Sequence, residues 1–135
     1  MRFFLPVTLL RLEGAVVFFG SLVLYSQVGG GWWWFAALFF VPDISIAAYL
    51  ASASLGWRSY NLLHSYTGPL LLLAIALSGN RDPLIALGLI WLAHIAWDRM
   101  LGFGMKLDED FWTTHLGRIR TGRLLWEELL RKLRR

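Results

Sequence analysis

The chain has 135 residues, 57% of them hydrophobic, and its mean hydropathy is +0.54. A water-soluble domain of this size cannot cover so much apolar surface, so the composition excludes that class and predicts an integral membrane protein. The net charge is +4, and the absence of cysteine excludes disulfides and zinc–thiolate sites. No nucleic-acid-reading motif accompanies the basic charge, so we expect no nucleic-acid partner.

Four apolar segments are predicted to cross the lipid bilayer, at about residues 9–28, 32–52, 59–77 and 83–101. Each is close to the roughly 20 residues that a bilayer core requires. Three glycines at 29–31 and three tryptophans at 32–34 predict a turn and an interfacial aromatic belt between the first two segments. Pro42 predicts a kink inside the second segment.

The distribution of basic residues predicts the orientation of the chain. They gather at the two termini and in the loops on the same side, whereas only Arg81 falls on the other side. The positive-inside rule therefore puts both termini in the cytoplasm, N-in and C-in. The predicted fold is all-α, a four-helix transmembrane domain over residues 1–120 with a basic tail over 121–135. This tail predicts a short amphipathic helix that binds anionic inner-leaflet lipids.

Polar side chains occur in all four segments, and the topology places them at a similar depth. They are Glu13, Asp43, Asn61, His64, His94 and Asp98. At about 1.5 Å of rise per residue, all but Asp43 lie within roughly 10 Å of the cytoplasmic interface, and Asp43 lies a little deeper. Ionisable groups at membrane depth are costly and are by default candidates for function. We therefore predict one polar site on the cytoplasmic side of the bundle.

The residue types in this site suit a divalent metal, because such ions bind imidazole and carboxylate together. The predicted metal ligands are Asp43, His64, His94 and Asp98. A metal there would support hydrolysis or group transfer on a membrane-associated substrate. The candidate catalytic groups are Glu13, Asp98 and His115. The remaining candidates are Asn61, Arg99, Lys106 and Arg118, of which the three cations can contact an anionic headgroup.

Other functions remain open at this level. His64 and His94 lie at similar depth, which permits axial ligation of a haem, although the surrounding carboxylates argue against it. The kinked second segment and buried carboxylates permit proton or cation handling, for which four short helices would need a homo-oligomer. The plainest alternative is a structural subunit in which the polar groups only join the helices.

Several motifs together resemble one known family. They are Arg11-Leu12-Glu13-Gly14, Pro42-Asp43, Tyr60-Asn61-x-x-His64, Ala93-His94-x-x-x-Asp98-Arg99-x-Leu101-Gly102-x-Gly104 and Thr114-His115-Leu116-Gly117-Arg118. From about Leu9 to Ile119 the chain is similar to small bacterial membrane proteins grouped as a domain of unknown function. The resemblance implies a bacterial inner-membrane location and implies that Lys106 and His115 belong with the polar set, but it implies no activity. The His and Asp pattern is more loosely similar to inner-membrane metal-dependent hydrolases.

Overall fold

Helices dominate the computed structural model, which describes residues 4–107, 111–118 and 131–132. In chain order the elements are α1 (Phe4–Val28), α2 (Trp32–Phe39), a 3₁₀ helix (Val41–Leu50), α3 (Ala53–Leu63), α4 (Thr67–Ser78), α5 (Asp82–Leu101), β1 (Thr113–Thr114) and β2 (Gly117–Arg118). The predicted basic C-terminal helix lies outside the described residues except at 131–132, which are helical.

The helices form four stretches that are long and apolar enough to cross a membrane: Pro6–Val28, Trp32–Leu50, Ala53–Ser78 and Asp82–Leu101. The chain is therefore an all-α membrane bundle, which confirms the predicted fold class. Large hydrophobic side chains such as Phe19, Trp33 and Leu50 are exposed on the outside of the bundle. Such a surface is stable in lipid and would aggregate in water.

Two of the four crossing stretches are interrupted inside the bundle. The helix α2 ends at Phe39 and the chain continues as a 3₁₀ helix, because Pro42 has no N–H with which to extend the α-helical ladder. The third stretch is broken between Leu63, where α3 ends, and Thr67, where α4 begins. Non-helical backbone at membrane depth is tolerated where it is buried in protein or lines a cavity. Both interruptions border the candidate site.

The helix α5 is the centre of the bundle and packs against α1, α2 and α4. Its closest neighbour is α1 at Gly14, where an added Cβ would lie 2.7 Å from the backbone nitrogen of Met100. At the same level Arg11 donates a hydrogen bond of 3.0 Å from Nε to the Met100 carbonyl. The helix ends at Gly102, whose positive φ of 93° favours glycine at the C-terminal cap.

The segment after α5 folds back as a small antiparallel sheet. Strand β1 pairs with β2, and Lys106 forms a further bridge to Thr114. Asn61 in α3 fixes this segment, because its side-chain amide donates to the Lys106 carbonyl and accepts from the Lys106 N–H, each at 2.6 Å. We call β1, β2 and the bridged Lys106 the hairpin, and these two hydrogen bonds tie it to α3.

Candidate functional site

Four of the predicted site residues converge on one point inside the bundle. They come from the 3₁₀ helix, the end of α3 and the second half of α5, and we call them the four-ligand cluster: Asp43, His64, His94 and Asp98. Each offers one ligand atom, and these atoms all lie within 4.8 Å of one another. Both histidines are only 1% exposed. The four residues that the sequence predicts as metal ligands therefore share one small volume.

The distances within the four-ligand cluster fit a single small ion. The Nε2 atoms of His64 and His94 lie 3.1 Å apart. Asp43 Oδ1 lies 3.3 and 3.5 Å from these two nitrogens, and Asp98 Oδ2 lies 3.6 and 3.9 Å from them. Ligand atoms about 2.0–2.1 Å from a tetrahedral ion are about 3.3 Å from one another. The observed separations bracket that value, with Asp98 as the most distant member.

Hydrogen bonding fixes how His64 faces the other ligands. Its Nδ1 lies 3.0 Å from the Tyr60 carbonyl, and because a carbonyl only accepts, Nδ1 carries the proton. The Nε2 atom of the neutral ring therefore presents a lone pair to the cluster. A carbonyl partner on the far nitrogen is the usual arrangement for an imidazole that binds a metal.

Tyr60 supports the four-ligand cluster from one side. Its ring stacks on the His64 ring with the centroids 3.8 Å apart, and its hydroxyl donates to Asp98 Oδ2 at 3.4 Å. Sequence reasoning did not single out Tyr60 as a site residue. Its position four residues before His64 puts both side chains on one helix face, and that spacing was the available signal.

His94 has no support equivalent to that of His64. Its Nδ1 is buried without a hydrogen-bond partner among the residues that the structure describes. Its ring packs edge-on against Phe39 with the centroids 5.2 Å apart. On the Nδ1 side, apolar packing therefore holds this ring, while its Nε2 lies 3.1 Å from His64 Nε2 in the cluster.

Two buried cations border the cluster without joining it. Arg99 is 8% exposed, and its guanidinium donates to the carbonyls of His64 and Phe103 at 3.0 and 3.1 Å. Lys106 is 4% exposed; its ammonium group donates to a hairpin carbonyl and lies 4.9 Å from the centre of the Tyr60 ring. Arg99 therefore braces the end of α3, and Lys106 covers the tyrosine that supports the cluster.

Glu13 and His115 lie outside the four-ligand cluster, in a neighbouring cavity of about 590 Å³ that we call the polar cavity. Its walls come from α1, the break between α3 and α4, α5 and the segment after it: Leu10, Glu13, Val17, Ser65, Tyr66, Thr67, Arg99, Met105 and His115. The residues that the sequence predicts as catalytic are thus divided. Asp98 belongs to the cluster, whereas Glu13 and His115 line the polar cavity.

The hairpin places His115 at the polar cavity. The Nδ1 atom accepts the N–H of Met105 at 2.9 Å, so the neutral ring carries its proton on Nε2. Burial, together with the positive charge of Arg99, lowers the pKa of His115 below the ordinary 6.5. The ring is therefore neutral near pH 7 and has one N–H with which to donate.

Two further predicted site residues have different positions. The side-chain amide of Asn61 is engaged at both ends by the Lys106 backbone, so it orients the hairpin and offers no ligand atom to the cluster. Arg118 lies in β2, and its side chain is outside the described part of the protein.

An apolar cavity of about 220 Å³ adjoins the cluster on another side. Its walls include Pro42, which precedes Asp43, and Leu63, which precedes His64. Trp91 also lines it and donates its indole N–H to the Leu63 carbonyl at 2.7 Å. An apolar lining next to a few convergent polar groups is typical of small-molecule sites.

The chain was compared with known families and proteins. A family model described as a domain of unknown function (DUF4260) matches residues 7–119, a range that contains the whole cluster and the whole polar cavity. No match was found among curated proteins or among solved structures.

Proposed function

Since the chain belongs to the family described as a domain of unknown function (DUF4260), we propose its activity from its own geometry: a metal-dependent hydrolase or transferase that acts on a membrane-associated substrate. The observation that carries this proposal is the convergence of four ligand atoms within 4.8 Å of one another. Two imidazoles and two carboxylates form a donor set that suits zinc and neighbouring divalent ions.

The cluster has more hydrogen-bond acceptors than donors. This excess supports a bound cation over a purely structural role in which the polar groups only join the helices. The carboxylates of Asp43 and Asp98 only accept hydrogen bonds, and Nε2 of His64 is also an acceptor because its proton is on Nδ1. Within the cluster, only Nε2 of His94 can supply a proton to these three acceptors. Outside the cluster, the Tyr60 hydroxyl donates to Asp98 Oδ2. Acceptors left unpaired inside a protein are destabilising, and one divalent ion would bind to all three.

A haem fits the same histidines poorly. Two axial nitrogens on opposite faces of a metal, each at about 2.0 Å, would be about 4 Å apart. The two Nε2 atoms are 3.1 Å apart. Asp43 Oδ1 also lies within 3.5 Å of both nitrogens, where the porphyrin plane would have to pass. The geometry therefore favours a small ion.

The surroundings of the cluster support a substrate with polar and apolar parts. When bound, a divalent ion would polarise an ester or phosphoryl oxygen as a Lewis acid. The apolar cavity beside Asp43 and His64 would hold the apolar part of the substrate. We assign His115 as a proton carrier, because its Nε2–H is free of the hydrogen bond that engages Nδ1.

We retain the predicted orientation and location as part of the proposal. With both termini in the cytoplasm of a bacterial cell, the cluster and the polar cavity would lie toward the cytoplasmic leaflet of the inner membrane. The domain would span residues 1–120, and the basic tail over 121–135 would contact anionic lipids.

Metal analysis of the full chain, purified in detergent, tests the proposal. We expect roughly one divalent ion per chain after dialysis, and we expect a His94→Ala, Asp98→Ala double variant to lose it. His115→Ala is the matched control, since it removes a histidine outside the cluster and should retain the ion. Adding the ion should also raise the melting temperature of the wild type but not of the double variant. A wild type without stoichiometric metal after growth with zinc, manganese and iron would contradict the proposal.

A further inference from the structure

Arg99 is a buried cation with no ion-paired carboxylate among the residues that the structure describes. Its guanidinium lines the polar cavity and is held by the carbonyls of His64 and Phe103. No carboxylate oxygen lies within 4.0 Å of it among the described residues. The adjacent Asp98 attracts this charge at longer range, but its oxygens do not pair with the guanidinium, and a buried charge without a bonded counter-ion is destabilising. An anionic group bound in the polar cavity would supply that counter-ion.

Glu13 lies at the same level of the bundle and has no ion-paired cation among the described residues. The next residue, Gly14, packs so closely on α5 that an added Cβ would lie 2.8 Å from the Cβ of Arg99. Despite this proximity, the Glu13 carboxylate forms no ion pair or hydrogen bond within the described part of the chain. The two carbonyl bonds hold the guanidinium elsewhere. The polar cavity therefore offers one positive and one negative group, each available to a ligand.

Neutral donors and apolar side chains complete the polar cavity. Residues 65–67, at the break between α3 and α4, contribute three hydroxyl-bearing side chains, and His115 contributes its Nε2–H. A guanidinium surrounded by hydroxyl and N–H donors suits the several oxygens of a phosphate group. The rest of the lining is apolar: Leu10, Val17 and Met105. This lining can pack against the carbon atoms next to the charged groups of a bound head.

We propose that the polar cavity binds the zwitterionic head of a phosphorylated amino alcohol, with its phosphate at Arg99 and its ammonium at Glu13. The inference rests on the proposed function and names its substrate class. A purely anionic head would be repelled by Glu13, and a purely cationic head would be repelled by Arg99. A volume of about 590 Å³ is within the range of small-molecule pockets.

The chain links this cavity directly to the four-ligand cluster. Arg99 follows Asp98 on α5, and Ser65 follows His64 at the helix break. Arg99 also donates to the His64 carbonyl at 3.0 Å. A head bound at Arg99 is therefore held beside the residues that would hold the metal.

Binding of short-chain lipids to the full chain in detergent tests the inference. The probes are dihexanoyl phosphatidylethanolamine, dihexanoyl phosphatidylglycerol and free phosphoethanolamine, each titrated in the presence of a chelator so that no metal contributes. We expect phosphatidylethanolamine to bind about tenfold or more tightly than phosphatidylglycerol, which lacks the ammonium group. Glu13→Gln should remove this preference while leaving the melting temperature unchanged.

Matched variants keep the test decisive. Asp82→Asn removes an exposed carboxylate at the start of α5 and should keep the preference. Arg99→Lys should weaken the binding of both lipids, because lysine lacks the guanidinium fork. If that variant does not fold, Glu13→Gln alone decides. Equal affinities of the wild type for the two lipids, or an unchanged preference in Glu13→Gln, would overturn the inference.

Two further measurements are informative. One distinguishes a lipid from a soluble ligand, and the other distinguishes failure of this inference from failure of the proposed function. Free phosphoethanolamine that binds as tightly as the lipid supports a soluble zwitterion, and much weaker binding supports a lipid; both agree with the inferred head. Metal content is measured on the same preparations without chelator. A metal-free wild type would overturn the proposed function, whereas a lost head preference would overturn only the assignment of the polar cavity.

Discussion

The four-ligand cluster and the polar cavity lie side by side, yet their charged groups are satisfied differently. In the cluster, each histidine Nε2 lies within 3.9 Å of both carboxylate oxygens. In the polar cavity, Glu13 and Arg99 face open volume and form no ion pair with each other or with any other residue in the described ranges. Asp98 and Arg99 are consecutive on α5 and therefore point about 100° apart, one to each region. One belt of polar residues thus divides into a compact place for an ion and a roomier place for a ligand.

The largest expected effect comes from removing one metal-binding side chain, which should weaken metal binding in the cluster but leave lipid binding in the polar cavity intact. His64→Ala deletes an Nε2 that lies 3.1 Å from its counterpart on His94. We expect metal affinity to fall roughly a hundredfold or more, above the range for outer partners. Competition with a chromophoric chelator measures this loss. Binding of phosphatidylethanolamine should persist, because Arg99 donates to the backbone carbonyl of residue 64, which the variant keeps. Wild-type metal affinity in this variant would show that the cluster is not the metal site.

Releasing the hairpin should disturb the polar cavity more than the cluster. Asn61→Leu leaves the N–H and carbonyl of Lys106 without their side-chain partners. We expect the free energy of unfolding to fall by about 2 kcal/mol, measured by thermal or denaturant unfolding in one detergent. Ser78→Ala, which removes an exposed hydroxyl bond to the Ile75 carbonyl, is the control and should change little. An Asn61 variant as stable as that control would show that the two Asn61–Lys106 hydrogen bonds do not stabilise the fold.

A tyrosine-to-phenylalanine substitution in each region should affect metal affinity only in the four-ligand cluster. Tyr60→Phe keeps the ring stacked on His64 but removes the hydroxyl that donates to Asp98. Metal affinity should drop about tenfold, because an outer hydrogen bond to a ligand is lost. Tyr66→Phe, in the polar cavity, should leave metal affinity at the wild-type value. Calorimetric titration of both variants checks the difference, and equal affinities would contradict it.

The smallest expected effect is a pH dependence of stability that comes from His115 in the polar cavity. Burial lowers the pKa of His115 in the folded chain below its ordinary 6.5. The unfolded chain therefore takes up a proton more readily, so stability falls as the pH drops through about 6.5 and stops falling below the folded pKa. His115→Asn should flatten this dependence between pH 7.5 and 5.5. Melting curves of both proteins test it, and parallel curves would contradict the assignment.

Much of the architecture was predictable because a bilayer dictates the length of each crossing segment. The depth of each residue follows from its position in its segment, which predicted that Asp43, His64, His94 and Asp98 would meet. The direction in which each side chain faces around the bundle does not follow from its position in the segment. Glu13 is assigned to the polar cavity by the packing of Gly14 on α5, which hydropathy does not record. Metal binding itself stays a prediction.

The positions of the third span and the hairpin were harder to predict for a related reason. The third stretch begins at Ala53, because the Ser52 hydroxyl accepts the N–H of Leu55 and starts the helix early. Lys106 is buried because its backbone is clamped by Asn61, a residue 45 positions away. Such long-range backbone contacts depend on the assembled bundle, so no local pattern of charge or hydropathy predicts them.

The place of α5 in the chain has a consequence for biosynthesis. Ribosomes release the N-terminal helices first, so Asp43 and His64 enter the bilayer before His94 and Asp98 exist. Until then, Asp43 has only His64 of the other three cluster residues as a partner, and ionisable groups at membrane depth are costly. Of the four crossing stretches among the described residues, the one made last, Asp82–Leu101, carries His94 and Asp98, and its Arg99 donates to the carbonyl at the broken end of α3. The four-ligand cluster therefore cannot be complete until α5 has been synthesised and packed against the earlier helices.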